Sequence, residues 1–122
     1  MLIRNIDDAE LTPVDMEGVK DTSMAVMVGR DDSAPNFAIR QFRVEPGGHT
    51  PRHAHDFEHE VFVLEGAGEV LLEGEYRPIR RGDVLYVPAE QEHQFRAAPG
   101  EGLRFLCMVP MSRNCGDPTP GS

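Results

Sequence analysis

Cysteine is scarce in this sequence of 122 residues, which contains only Cys107 and Cys115. Two cysteines at unrelated spacings do not form the framework of a small disulfide-stabilised secreted protein. The N-terminus carries acidic residues where a signal peptide would carry an apolar core, and no apolar run approaches the roughly 18 residues of a transmembrane helix. We therefore expect a cytoplasmic, reduced protein without a membrane partner.

Basic residues are also few, with 12 Lys and Arg against 21 Asp and Glu, which gives a net charge of −9. The acidic residues are spread along the chain and form no tail. Nucleic acids and anionic membranes are bound by clusters of Lys and Arg, and this chain has none. We expect no nucleic-acid partner.

No long amphipathic helical pattern is present, and short apolar runs dominate instead. The 12 glycines and 10 prolines separate seven runs of strand length, at 23–28, 36–44, 60–66, 69–74, 83–88, 93–97 and 103–109. We predict turns or hairpin corners at the Gly-containing segments between them, 45–48 and 66–68 included. Many short strands without helices predict an all-β sandwich or barrel in a single domain.

Four of the five histidines lie close together, at His49, His53, His55 and His59, and the fifth is His93. Residues two apart on a strand share a face, so a strand would place His53 and His55 about 6.6 to 6.8 Å apart. A turn at residues 56–57 would then return the chain opposite this pair. Imidazole is a preferred ligand of several divalent transition metals, so the spacing predicts a metal site rather than a surface histidine tract.

Strand parity leaves the third ligand open between His59 and Glu60. The two residues are adjacent, so a regular strand directs only one of them inward. His59 shares its face with Val61 and Val63, whereas Glu60 shares its face with apolar residues as well. Both faces are therefore compatible with the core.

The histidine segment resembles the first motif of the cupin family, in which a Gly, five residues, His-x-His, three or four residues, a Glu, six residues and a Gly follow one another. Here Gly47 precedes His53 and His55 by that spacing, and Gly66 closes the motif. Counting back six residues from Gly66 reaches His59, so the resemblance implies that His59 replaces the metal-binding Glu of most cupins.

The second cupin motif runs Gly, five residues, Pro-x-Gly, two residues, His, three residues and Asn. This chain matches it at Gly82, Pro88 and His93, but carries Glu90 and Ala97 where the motif has Gly and Asn. These departures weaken the turn chemistry and leave the last ligand in place. The segments 34–48, 58–66 and 105–110 also resemble the small single-domain cupins with four histidines, which often carry manganese.

This resemblance implies a single-domain cupin β-barrel, also called a double-stranded β-helix or jelly roll, over residues 36–111. Residues 1–35 would form an N-terminal segment, and residues 112–122, with two Pro and two Gly among them, a tail on the surface. One divalent transition metal per chain is expected, manganese first, with iron, nickel, zinc and copper as alternatives. Its ligands would be His53, His55, His59 and His93.

Four neutral ligands would leave the full 2+ charge of an octahedral ion and two open positions, which suit an anionic chelating small molecule or dioxygen. The resemblance and strand parity place five residues near the pocket: Arg40, Phe42, Phe95, Phe105 and Cys107. The phenylalanines are equally consistent with ordinary core, Arg40 with a rim salt bridge, and Cys107 with a small buried apolar residue. His49 and Glu60 are weak candidates for a general base, and Cys115 has no role that the sequence supports.

The sequence favours a metal-dependent oxidoreductase, dioxygenase-like or peroxide-using, that acts on a small anionic organic molecule. An isomerase, lyase or decarboxylase that uses the ion as a Lewis acid is an alternative, and a non-enzymatic binding module is another. Segment 23–28 is apolar on both faces and would be an outer strand. Because small cupins are usually dimers, we expect a symmetric homodimer with this segment and the Leu106/Met108 face near the interface.

Overall fold

The structure is a computed structural model that describes residues 1–111. Its eight strands pair antiparallel and close into a barrel, which confirms the all-β prediction. Two single-turn 3-10 helices lie at Ile6–Asp8 and Arg30–Asp32. The strands are β1 (Thr12–Pro13), β2 (Lys20–Val28), β3 (Phe37–His49), β4 (His59–Leu72), β5 (Glu75–Arg80), β6 (Val84–Val87), β7 (Gln94–Ala97) and β8 (Leu103–Pro110).

Strand β4 replaces two of the predicted strands. The runs 60–66 and 69–74 belong almost entirely to this one strand, and the predicted corner at 66–68 is wrong. Gly66 has a φ of +83°, which bends the strand without reversing it. The first half of β4 pairs with β6 and β8, and the second half pairs with β5 and β7. The chain reverses only at residues 73–74, and the sequence analysis missed β5, which follows.

Strand β3 also continues through a predicted turn. Residues 45–48 remain within the strand, with Gly47 at a φ of +78°. Phe37 to Val44 pair with β8, while His49 pairs with Arg96 of β7. Each of the two long strands, β3 and β4, thus pairs with different neighbouring strands in its first and second parts.

The core lies inside the barrel, where every second residue of the strands points. Along β8, for example, buried and half-buried residues alternate from Leu103 to Pro110. This alternation separates an interior that holds the candidate site from an outer sheet face. The main buried apolar residues are Phe42, Val44, Val61, Val63, Val70, Phe95, Leu103, Phe105 and Val109.

Strand β2 pairs with β3 along one side, and on its other side β1 pairs only with Ser23 and Met24, so residues 25–28 have no strand partner there within residues 1–111. Met24 and Met27 are buried within one chain. The N-terminal segment covers this region: Arg4 Nη1 donates to the carbonyl oxygen of Met27 at 2.7 Å, and Gln41 Nε2 donates to that of Ile6 at 3.2 Å. Contacts within the chain therefore bury the two methionines of the segment, and the homodimer stays a prediction.

The predicted surface tail and the predicted lack of a transmembrane helix remain to be compared with the structure. The tail at 112–122, with Cys115, lies outside the described residues. No helix within residues 1–111 is long and apolar enough to cross a membrane. The cytoplasmic location stays a prediction.

Candidate metal centre

Two segments distant in sequence meet at the histidine cluster. His53 N donates to the carbonyl oxygen of His93 at 3.1 Å, and His93 N donates to that of His53 at 2.8 Å. The pair forms an isolated antiparallel bridge outside the regular strands. The backbone itself therefore brings the first and second histidine segments together.

The segment that carries His53 and His55 is an irregular loop and not the predicted strand with a hairpin turn. Strand β3 ends at His49, just before Pro51, which has no N–H for a strand ladder and restricts the residue before it. The loop is fixed at a second point, because Glu90 N donates to the carbonyl oxygen of His55 at 2.5 Å. The two side chains reach the cluster through this loop conformation and not through strand parity.

Thr50 anchors the start of this loop to β7. Its backbone N donates to the carbonyl oxygen of Phe95 and its hydroxyl accepts from Phe95 N, both at 2.9 Å. Gln94 Nε2 donates to the carbonyl oxygen of Thr50 at 3.0 Å, and Tyr76 Oη donates to Gln94 Oε1 at 2.5 Å. No pattern in the sequence pointed to these residues, because none of them carries metal-binding chemistry.

Three histidines form a compact group. The ligand nitrogens of His53, His55 and His93 lie within 4.8 Å of one another. The ring of His53 lies 4.1 Å from that of His55 and 4.9 Å from that of His93, measured between centroids. Such a group of imidazoles can hold a divalent metal ion.

His59, the first residue of β4, lies beside this group. Its ring centroid is 4.9 Å from that of His55 and 5.1 Å from that of His93. His59 is 2% exposed, whereas the adjacent Glu60 is exposed on the outer face of the strand. Burial and the neighbouring Glu58 raise the pKa of the Glu60 carboxyl. The structure thus places His59, and not Glu60, on the side of the other three histidines.

The ring nitrogens of the buried histidines fit a metal. Nε2 of His59 and Nε2 of His93 are buried and have no hydrogen-bond partner within residues 1–111. His93 Nδ1 lies 2.9 Å from the carbonyl oxygen of Gln91, to which only a protonated Nδ1 can donate, so in the neutral imidazole Nε2 carries the lone pair. Burial above all, and then the nearby His93 and Arg40, lower the pKa of His59 to about 2. His59 is therefore a neutral imidazole, the form that binds metals.

Phe57 is a further contact that the sequence analysis did not single out. Its ring stacks on that of His55 with centroids 4.6 Å apart and an interplanar angle of 1°. It also lies 5.3 Å from the ring of His59. Phe57 thereby limits the orientations that His55 can adopt.

The five predicted pocket residues are all 2% exposed or less. Phe105 stacks on Phe42 at 5.3 Å and on Phe95 at 4.5 Å between centroids, so these rings are packed core. Arg40 is not in a rim salt bridge: within residues 1–111 no carboxylate forms an ion pair with it. Its guanidinium lies 5.3 Å from the Phe42 ring centroid, and Nη2 lies 3.5 Å from Cys107 Sγ.

His49 lies outside the cluster. Its Nδ1 is 3.2 Å from the carbonyl oxygen of Thr50, and its side chain lines an outer cleft of about 620 Å³. Glycines 47, 48 and 68 line the same cleft. A general-base role for His49 or Glu60 has no support from these positions.

The sequence of residues 40–109 matches the profile of the family described as Cupin domain. The chain belongs to the cupin domain family. This match covers both histidine segments and every strand from β4 to β7. The resemblance in the two motifs is thereby confirmed at the level of the family.

Named relatives of this cupin differ in activity. It is 37% identical over 76 residues to 1-methylthio-D-xylulose 5-phosphate methylsulfurylase from Rhodospirillum rubrum, and the aligned segment covers 62% of this chain and 49% of the relative. It is 30% identical to L-ectoine synthase from Desulfatibacillum aliphaticivorans over 88% of this chain and 83% of the relative. The chain thus spans about half the length of the methylsulfurylase.

A solved structure agrees with the fold. The polyketide cyclase RemF from Streptomyces resistomycificus superposes with a TM-score of 0.86 at 32% identity, covering 92% of this cupin and 80% of the cyclase. The barrel is therefore a fold that this cupin shares with proteins named for several different activities.

Glu90, which departs from the second motif, stands in a strained backbone conformation with a φ of +69°. Glycine adopts this left-handed region without a Cβ clash, whereas other residues pay about 1 to 2 kcal/mol. We expect Glu90→Gly to raise the free energy of unfolding by about 0.5 to 1 kcal/mol, because the relief of strain exceeds the entropy that a glycine adds to the unfolded chain.

Urea unfolding of the metal-free variants would measure this effect. Gln91→Gly is the matched control, because Gln91 lies in the same loop without a positive φ and its replacement should lower stability. A Glu90→Gly variant that loses as much stability as the control would contradict the assignment of strain to this residue.

Proposed function

We propose that this cupin is a metal-dependent enzyme that acts on a small anionic organic molecule at its histidine cluster. The observation that carries the proposal is the pair of buried, unpartnered Nε2 atoms of His59 and His93 beside the rings of His53 and His55. A buried polar atom without a partner costs about 1 to 3 kcal/mol. One bound ion would satisfy these nitrogens together.

Four imidazoles are the donor set for this ion: His53, His55, His59 and His93. Nitrogen ligands of this kind suit zinc, copper, iron and nickel, and the resemblance to four-histidine cupins adds manganese as the first expectation. When bound, the ion supplies a Lewis acid that polarises an oxygen of the substrate. A small molecule would approach from the side of His53 and His55, which are half-buried while the other two ligands are buried.

The charges around the cluster favour an anion. The four imidazoles bring no negative charge to balance a divalent ion. Arg40 adds a buried positive charge that no carboxylate of residues 1–111 pairs with, and it is close enough to lower the pKa of His59. Buried charges without a partner are costly, so an anionic ligand would stabilise this interior.

The names of the relatives favour a reaction without net oxidation. The methylsulfurylase, the ectoine synthase and the polyketide cyclase are not named as oxygenases. An oxidoreductase of the dioxygenase-like or peroxide-using kind is the second candidate. Four protein ligands on an octahedral ion would leave two open positions, one for dioxygen or a peroxide and one for a substrate. A homodimer and a cytoplasmic location complete the proposal.

Metal binding is the first test. We expect about one divalent ion per chain in protein purified without a chelating resin, and removal of any one of the four imidazoles by an Ala substitution should lower occupancy. His49→Ala and Glu60→Ala are the controls and should keep the ion, because neither side chain reaches the cluster. Elemental analysis measures the occupancy. An empty site in Glu60→Ala with a filled site in His59→Ala would show that Glu60 is the ligand.

Oxygen dependence separates the two candidate functions. We expect the metal-loaded protein to turn over enolisable acids from a test panel equally well with and without air, because a Lewis acid needs no oxidant. An oxygen electrode and product analysis under nitrogen would measure this. Stoichiometric oxygen uptake would favour the oxygenase, and binding without turnover of any panel member would favour a binding module.

Ligand charge is the third test. We expect oxalate and pyruvate to bind the metal-loaded protein more tightly than a neutral diol of similar size, and to bind weakly without the metal. Arg40→Met keeps the volume and removes the charge, so it should weaken oxalate binding on the order of tenfold at saturating metal. Titration calorimetry measures these affinities, and equal affinity for the diol would refute selection by charge.

A further inference from the structure

Three neighbouring strands bring one side chain each to the inner edge of the cluster. Arg40 on β3 lies opposite Cys107 on β8, and Cys107 lies opposite Val61 on β4, two residues after His59. Residues two apart on a strand share a face, so His59, Cys107 and Arg40 all point into the barrel. All three are 2% exposed or less.

The sulfur of Cys107 lies between the other two groups. His59 Nδ1 is 3.0 Å from Sγ, and Arg40 Nη2 donates to the same sulfur at 3.5 Å. A guanidinium has donors only, so on that side the sulfur acts as an acceptor. Arg40 Nε is buried and has no hydrogen-bond partner within residues 1–111, so this nitrogen does not tie the guanidinium to another acceptor there.

The two buried histidines of the cluster, His59 and His93, differ in the group that faces the Nδ1 atom of the ring. His93 Nδ1 faces a backbone carbonyl oxygen, that of Gln91. His59 Nδ1 faces a side chain, that of Cys107. An imidazole that binds a metal through Nε2 carries its proton on Nδ1, and the acceptor of that proton sets the tautomer and the ring orientation.

We propose that Cys107 is a positioning residue: its sulfur accepts a hydrogen bond from the Nδ1–H of His59 and orients that ring for metal binding, while Arg40 donates a hydrogen bond that holds the sulfur in place. The proposal rests on the proposed function, because it concerns the metal-bound cluster. The role of Cys107 is thus to orient a ligand, and the cysteine itself contacts neither metal nor substrate.

Manganese affinity in a double-mutant cycle tests this assignment, with free Mn²⁺ measured by electron paramagnetic resonance. Loss of an outer hydrogen-bond partner of a metal ligand typically weakens metal binding about 10- to 100-fold, and we expect this for Cys107→Ala. Cys107→Ser keeps an acceptor and should bind close to wild type. In a His59→Ala background, Cys107→Ala should cause no further weakening, because its effect passes through that ring.

Two controls separate this role from general damage to the core. Val109→Ala also removes buried atoms from the inner face of β8 and should leave manganese affinity unchanged. Cys107→Val removes the acceptor without a large cavity and replaces Cys107→Ala if the latter does not fold. Equal manganese affinity in wild type and in the apolar Cys107 variants would overturn the inference alone. The same holds for equal weakening with and without His59, whereas wild-type protein that binds no divalent metal would overturn the proposed function as well.

Discussion

The candidate site depends on the two backbone hydrogen bonds between His53 and His93. One of these residues lies in the loop after β3 and the other just before β7, and the bridge makes their ring centroids neighbours at 4.9 Å. The paired hydrogen bonds of Thr50 and Phe95 continue the same connection. Backbone hydrogen bonds within the chain therefore hold the two histidine segments against each other.

The electrostatics of the interior follow from that assembly. Imidazoles are gathered in a barrel whose other inner side chains are mostly Val and Phe, and the single guanidinium among them, Arg40, has no carboxylate partner in the described part of the chain. Desolvation keeps His59 neutral. Such an interior provides neutral nitrogen donors and excess positive potential, a combination that supports the proposed coordination of a cation and the proposed attraction of an anion.

The sequence was sufficient for the architecture and for the histidines because both depend on local spacing. Apolar runs between glycines and prolines indicated most of the strands, though not β5, and two separate motifs pointed to the histidines that the structure brings together, His53, His55, His59 and His93. The sequence was insufficient where one residue type is compatible with two different backbone arrangements. A glycine such as Gly66 can reverse a chain or bend a strand, and only the partners of β4 on both sides decide which occurs. Strand parity likewise failed after Pro51, where the ladder stops, and Thr50 and Gln94 act through contacts that no local pattern contains.

Strand β3 pairs with β2, β7 and β8, and strand β4 pairs with β5, β6, β7 and β8. Because these two strands connect all of those neighbours, one part of the barrel cannot open while the rest stays closed, and the barrel should unfold as one cooperative unit. The histidine cluster is attached to this unit through β4 and through the bridge to the residue before β7. An ion that binds only the folded chain would then slow amide hydrogen exchange throughout the barrel and not only around its ligands, because local opening and global unfolding are the same event for these strands.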